Sequence, residues 1–224
     1  SKANLVGLCH SVQGSSRALA NYAEVPYSHF KWKCAGVNHV AWFTEATYKG
    51  ENVYPKVFER ARNDKEFWEK DPVRLDLMLH FGCYVTESSG HHSEYSPYYR
   101  KRPELIEEYC RDGYLGGTSF YADNWPEWRN KCDENRRKFI NGETEFDGNR
   151  TWEYASFIVQ AMETNRPVTI YGTVPNDGLI TNLPQDGVVE VACTIDQNGV
   201  NPTHFGALPK ACAAMCDWHM RMYD

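Results

Sequence analysis

Residues 30–45 read Phe30-Lys31-Trp32-Lys33-Cys34-Ala35-Gly36-Val37-Asn38-His39-Val40-Ala41-Trp42-Phe43-Thr44-Glu45. Aromatic and β-branched residues dominate this stretch, which is the composition of a pleated, half-buried surface, so one or two strands are expected around a turn at Gly36. A second apolar run, Leu5-Val6-Gly7-Leu8-Cys9-His10-Ser11, precedes it and predicts a short buried strand over residues 3–9. Each run delivers a metal-capable side chain at or near its end, Cys9 from the first and His39 from the second. Thiolate and imidazole together suit a divalent transition ion that keeps positions open for substrate and water.

Outward from this pair the chain alternates irregularly between helical and extended patterns. Residues 12–23 predict a helix with Leu19 and Tyr22 on its apolar stripe and Ser11 and Ser15 as candidate caps. Residues 53–81 predict helix, broken near Asp71-Pro72, with Val73, Leu75, Leu77, Met78 and Phe81 toward a core. The stretch 82–100 has no period and is dense in polar and aromatic groups, as functional loops are. Charge at helical spacing marks 103–112 and 124–140 as solvated helices. Asn149–Asn165 predicts a helix with Tyr154, Phe157, Ile158 and Ala161 on one face. A strand from Val168, a turn-rich segment Asn176–Pro184, a strand at 187–195, a hairpin turn at Asp196–Gly199 and a last helix from Ala207 to Asp224 complete an α+β chain.

The bulk numbers exclude several classes. At 224 residues the chain is long enough for one sizeable core, and 42% apolar with 24% charged residues is ordinary for a folded domain. A net charge of −6 gives nucleic acid or an anionic membrane no electrostatic hold. No leader and no bilayer-spanning run is read, and the eight cysteines are read as free thiols, several lying inside apolar runs, so a cytoplasmic protein is expected. Fourteen Tyr and seven Trp can line a sugar pocket, fill a core or cover a subunit interface.

Five segments in order carry a resemblance: Leu8-Cys9-His10-Ser11-Val12-Gln13-Gly14, Gly36 to Phe43, Val85 to Tyr95, Asn176 to Pro184, and Val189-Glu190-Val191-Ala192-Cys193. Together they resemble glycoside hydrolase family 4, in particular its α-galactosidase branch, over residues 3 to 215. The resemblance implies a substrate domain like the C-terminal domain of lactate and malate dehydrogenases at 29–224. Before it, residues 1–28 would be the last strand and helix of a Rossmann domain. It also implies NAD and Mn²⁺ as cofactors, with a small-molecule glycoside as substrate. The reaction implied is oxidation at C3, metal-assisted removal of the C2 proton, elimination of the aglycone and water addition.

By this resemblance Cys9 and His39 are the metal ligands, Asn38 holds substrate hydroxyls, and His10 stands where some relatives carry an acid. The C2 base is Tyr84, Glu87 or Tyr95. His91 and His92 touch the metal or a sugar hydroxyl, and the turn from Asn176 to Asn182 walls the cofactor or substrate site. Arg150, at a helix start, reads as a surface residue or, in a sugar pocket, as a grip on hydroxyls or a carboxylate. Homo-oligomers are expected; nucleic acid and membrane are not. The family's strand–GxG–helix fingerprint is missing, and Gly113, Gly116 and Gly117 do not replace it. Two other functions fit that gap: a metal-dependent lyase or hydrolase acting on 3-keto sugars without NAD, and an inactive sugar-binding or oligomerisation fragment.

Overall fold

Period-two alternation along residues 40–43 builds the molecule. In the computed structural model, which describes residues 5–111, 113–117, 119–145, 147–151 and 153–223, Val40 and Trp42 point into one core while Ala41 and Phe43 point into another. Successive side chains on a strand face opposite sides of a sheet, so a strand apolar at every position must be covered on both. The strands are β1 (Gly7–Leu8), β2 (Phe30–Val37), β3 (Val40–Tyr48), β4 (Glu51–Asn52), β5 (Tyr84–Val85), β6 (Val168–Pro175), β7 (Val188–Asp196) and β8 (Gly199–Pro202). They form one antiparallel sheet in the order β1-β6-β7-β2-β3-β4, with β5 paired to β3 and β8 to β7.

Helices cover both faces. One core takes residues of α1 (Ser11–Tyr22), α2 (Tyr54–Asn63) and α3 (Lys65–Trp68); the other takes residues of α8 (Tyr154–Thr164) and α9 (Lys210–Met220). Between them α4 (Pro72–Phe81) is apolar nearly all round: Leu75 and Met78 enter the first core, Val73 and Leu77 the second. Its ends follow local chemistry, with Pro72 in the first turn and Gly82 in the left-handed region (φ 78°) closing the last. The remaining helices are α5 (Ser89–Tyr95), α6 (Pro103–Tyr109) and α7 (Phe120–Ile140). No described residue of α7 is buried, as its charge pattern predicts.

Several expectations are corrected. The first strand is not buried and not seven residues long: β1 is a two-residue edge strand, exposed along its length. Neither Ser11 nor Ser15 caps α1, because His10 holds the cap position without a side-chain bond and Ser15 Oγ instead accepts from Arg74. The helical stretch 53–81 breaks at Asp64 as well as at Asp71, and the C-terminal helix of the Asn149–Asn165 segment begins only at Tyr154. The stretch 82–100 is not an irregular loop; it holds β5 and α5, the latter capped by Ser88 Oγ accepting from the His91 N–H. The parts of these expectations that fall on residues 3, 4, 112, 152 and 224 lie outside the described residues.

The turn of the leading hairpin is also elsewhere. Gly36 lies within β2, and the chain reverses at Asn38-His39, with His39 in the left-handed region at φ 67°. Gly36 is needed for close approach: a Cβ there would stand 2.6 Å from Ala41 Cα and 2.7 Å from the Val40 carbonyl oxygen. Both neighbours are backbone and cannot rotate away. Gly36→Ala is therefore expected to destabilise the fold by about 1–3 kcal/mol through overpacking, read as a lower urea midpoint. A midpoint equal to wild type would show that the hairpin opens at no cost.

Candidate active site

Three element ends converge beside this turn. Cys9 follows β1 and precedes α1, His39 closes the β2–β3 turn, and Glu87 links β5 to α5. Glu87, like His39, is held in the left-handed region, at φ 68°. Non-glycine residues there cost backbone energy and concentrate at functional sites. One ligand atom from each of Cys9, His39 and Glu87 lies within 4.8 Å of the other two, and all three residues are half-buried. Sulfur, nitrogen and oxygen donors in one cluster fit a divalent first-row transition ion.

The electrostatics agree with that donor set. Burial pushes the Cys9 thiol up, but hydrogen bonds with His39, Ser11 and Asn38 outweigh it and bring its pKa down to about 6. His39 is raised in turn by its bond with Cys9. Against the upward push of burial, His91 and His39 hold Glu87 below the usual carboxylate range. Two anions thus face one imidazole, an excess of negative charge that a cation relieves. His39 Nδ1 meets the Tyr95 hydroxyl at 2.9 Å, and Nε2 lies 3.3 Å from Glu87 Oε2. A partner on one ring nitrogen fixes the orientation in which the other is presented. A thiol of pKa about 6 is mostly thiolate at pH 7. Cys9 is therefore expected to react with iodoacetamide at neutral pH and to be protected by Mn²⁺, which peptide mass spectrometry reads directly. Equal labelling with and without the ion would contradict the cluster.

The cluster forms one wall of a cleft of about 440 Å³, lined also by His10, Ser11, Arg74, His91 and Tyr114. A larger hollow of about 750 Å³ lies between residues 182–188 and α9, and touches the candidate site residues only at Asn182. The chemistry-bearing side chains gather at the smaller one.

Residues 34–224 match the family model described as the family 4 glycosyl hydrolase C-terminal domain. The chain belongs to glycoside hydrolase family 4. It is 40% identical over 214 residues to an α-galactosidase of Bacillus subtilis, covering 94% of this chain and 48% of that one. To an α-galactosidase of Rhizobium meliloti it is 35% identical, covering 96% of this chain and 45% of the relative. The chain therefore spans about half the length of these curated relatives. Among solved structures, lplD of Bacillus subtilis superposes with a TM-score of 0.76 at 24% identity, covering 96% of this chain and 53% of that chain. A 6-phospho-α-glucosidase from gut microorganisms, crystallised with NAD and Mn²⁺, superposes at 0.64 and 19% identity, covering 94% of this chain and 49% of that chain. The α+β fold expected from the sequence is that of this family's C-terminal domain.

In this family 4 domain the other named residues fall into two groups. His10 lines the cleft, with Nε2 3.0 Å from Glu153 Oε2 and its ring stacked on Tyr154. His91 lines it too, its Nδ1 2.7 Å from Glu87 Oε1 and its ring parallel to those of His39 and Tyr121. The Asn38 side chain faces both Cys9 and Glu190. Tyr95 stands against the cluster, its hydroxyl 2.9 Å from His39 Nδ1.

The second group is turned inward. Tyr84 is wholly buried and its hydroxyl donates to Asp71 at 2.6 Å, so it is committed to the core and not brought to the cleft. His92 is buried with Nε2 bonded to the Thr86 carbonyl, and burial lowers its pKa to about 4, which leaves it neutral at pH 7. Arg150 is exposed and bonds to Gln160 and the Ser156 carbonyl beside α8. Asn176 donates to the carbonyls of Ile180, Leu183 and Pro184 and accepts from the Ile180 N–H, and Asn182 pairs in both directions with Leu208. Those two amides hold their own loops, so neither is left to grip a cofactor.

Two residues near the cluster escaped sequence reasoning. Glu190 is 1% exposed on β7, opposite Gly36 on β2, and neither carboxylate oxygen completes a hydrogen bond among the described residues. Burial, with Cys9 next, pushes its pKa up to about 8, so it carries its proton at pH 7. A lone carboxylate in the apolar run Val188-Val189-Glu190-Val191 was the signal. Arg74, between Val73 and Leu75 in α4, is the second.

Proposed function

We propose that the full polypeptide carrying this chain is a glycosidase of family 4 type, most nearly an α-galactosidase. It would work by C3 oxidation, metal-assisted C2 deprotonation, elimination of the aglycone and addition of water. The observation that carries the reading is the Cys9–His39–Glu87 cluster on a cleft wall, in a domain 40% identical to an α-galactosidase. On this reading residues 29–224 are the metal- and sugar-binding domain and 1–28 belong to the dinucleotide-binding part.

Cys9, His39 and Glu87 would hold the divalent ion, which when bound polarises the oxygens on C2 and C3 of the sugar and offsets the charge of its ligands. Tyr95, bonded to His39 Nδ1, is the proton acceptor at C2, and Asn38 and His91 orient sugar hydroxyls. His10, with Glu153 behind its Nε2, moves a proton at the glycosidic oxygen. NAD is another matter. NAD⁺ would accept the C3 hydride and return it at the end, held by the dinucleotide-binding part of the full polypeptide; in the described residues the side-chain amides of Asn176 and Asn182 bond to backbone instead.

Eight free thiols suit a reducing, cytoplasmic setting. Among the described residues no helix is long and apolar enough to cross a membrane. Exposed Trp125, Trp128 and Tyr121 on α7 support self-association into a homo-oligomer. The test of function is hydrolysis of a nitrophenyl α-galactoside by the full-length protein with Mn²⁺, NAD⁺ and a reductant. Silence across a panel of glycosides would end the glycosidase reading. Tyr95→Phe should stop exchange of the C2 hydrogen with solvent while Mn²⁺ binding persists, whereas Glu87→Gln should weaken Mn²⁺ binding itself.

A further inference from the structure

We propose that His92 is a positioning residue for the metal centre, holding the backbone from which Glu87 is presented to Cys9 and His39. The proposal rests on the metal-binding part of the glycosidase reading and on no catalytic step. His92 is a wholly buried side chain of α5, and it stands behind three residues of the site at once. Nε2 lies 2.7 Å from the Thr86 carbonyl oxygen, one residue before Glu87. A carbonyl only accepts, so Nε2 carries the proton and donates. The ring also faces the His39 backbone, and it meets the Tyr95 ring edge to face with centroids 6.1 Å apart.

The bond matters because of where Glu87 sits. Its φ of 68° lies in the left-handed region, which a residue with a Cβ keeps only when its surroundings over-determine it. That angle is the rotation between the Thr86–Glu87 peptide plane and the rest of Glu87, so fixing the plane fixes one side of the strained bond. The Thr86 N–H donates to the Ala41 carbonyl at 2.8 Å, and Thr86 Oγ1 accepts from the Ala41 N–H at 3.2 Å. Those two bonds hold Thr86 to β3, while the His92 bond acts on the plane that Glu87 shares. On the far side Ser88 caps α5, with Oγ accepting from the His91 N–H and its carbonyl from the His92 N–H at 3.0 Å.

Consecutive histidines thus divide the work. His91 Nδ1 meets the Glu87 carboxylate at 2.7 Å, and His92 meets the peptide that precedes it. Without the second bond the plane is free to turn toward an ordinary negative φ, which swings the carboxylate off the cluster. The Thr86 carbonyl would also be left unpaired in the interior.

The experiment is calorimetric titration of the full-length protein with Mn²⁺, beside a urea melt, for wild type, His92→Phe and His92→Gln. The Gln amide can place an N–H where Nε2 stands, whereas Phe keeps the bulk without a donor. His92→Phe should weaken Mn²⁺ binding about 10–100-fold, and His92→Gln should stay within about threefold of wild type even if its urea midpoint falls as far. Wild-type affinity in His92→Phe would overturn the proposal. So would His92→Gln binding as weakly as His92→Phe, since His92 would then only fill the core. If the Phe variant does not fold, His92→Asn, polar but too short to reach the Thr86 carbonyl, takes its place with the same expectation. Absence of Mn²⁺ binding in the wild type would end the metal site and this proposal together. Turnover is not read, so a protein that hydrolyses no glycoside yet keeps this ranking loses the glycosidase reading and retains the positioning role.

Discussion

Cys9→Ser is expected to weaken Mn²⁺ binding on the order of 10³-fold and to abolish hydrolysis by the full-length protein, because a metal–thiolate bond worth several kcal/mol is lost. Serine keeps the size of cysteine but not its acidity. The Cys9 thiol reaches a pKa of about 6 because His39, Ser11 and Asn38 donate toward its sulfur, whereas no such set makes a serine alkoxide near pH 7. The fold should survive, since Cys9 is only half-buried and lies outside both cores. Calorimetric titration with Mn²⁺ alongside a urea melt separates the two effects. Mn²⁺ affinity within threefold of wild type, at unchanged stability, would remove Cys9 from the metal site.

Asp71→Ala is expected to cost about 3–5 kcal/mol of stability, the loss typical of leaving one partner of a buried ion pair behind. Asp71 is 2% exposed and gathers four side chains: Tyr22 at 3.0 Å, Tyr84 at 2.6 Å, Ser89, and Arg74 through Nε at 2.9 Å and Nη2 at 2.8 Å. These come from α1, α4, β5 and α5, so one carboxylate ties together the elements that carry Cys9, Glu87 and His91. Deleting it strands a buried guanidinium, the buried Tyr84 hydroxyl and the partly buried Tyr22 hydroxyl. Urea unfolding of Asp71→Ala and of the double variant Asp71→Ala/Arg74→Met reads the effect, and the double variant should lose less than the single one. A single-variant loss under 1 kcal/mol would show that water replaces the carboxylate.

How far the residues announced this site depends on how far apart its parts lie in the chain. The two apolar runs that end near Cys9 and His39 are local patterns, and the pair is found together in the cluster. The aromatic and β-branched stretch 30–45 likewise stated strands, and β2 and β3 lie there; that Val40 to Phe43 is covered on both faces came only with the packed helices. Gly36 misled because a glycine in a strand serves either a turn or a close neighbour, and only the position of Ala41 distinguishes the two. Residues 82–100 lacked a period because α5 is seven residues long and its side chains serve the cleft on one side and Asp71 on the other. Tyr84 and Glu87 lie three residues apart, yet one is in the core and the other in the cleft. Neither composition nor spacing separates them, since β5 and the left-handed Glu87 decide the direction of each.

The sequence by itself determined the α+β class, the leading hairpin, the family resemblance and the pairing of a thiol with an imidazole, all carried by short-range periodicity and residue chemistry. Tertiary structure alone decided the rest. It brought Glu87 to that pair, sent Tyr84 and His92 inward, spent Asn176 and Asn182 on their own loops, and set Arg74 and Glu190 beside the site. The reason is physical: a side chain's role at a site depends on which partners satisfy its polar atoms, and those partners come from strands and helices far away in the chain.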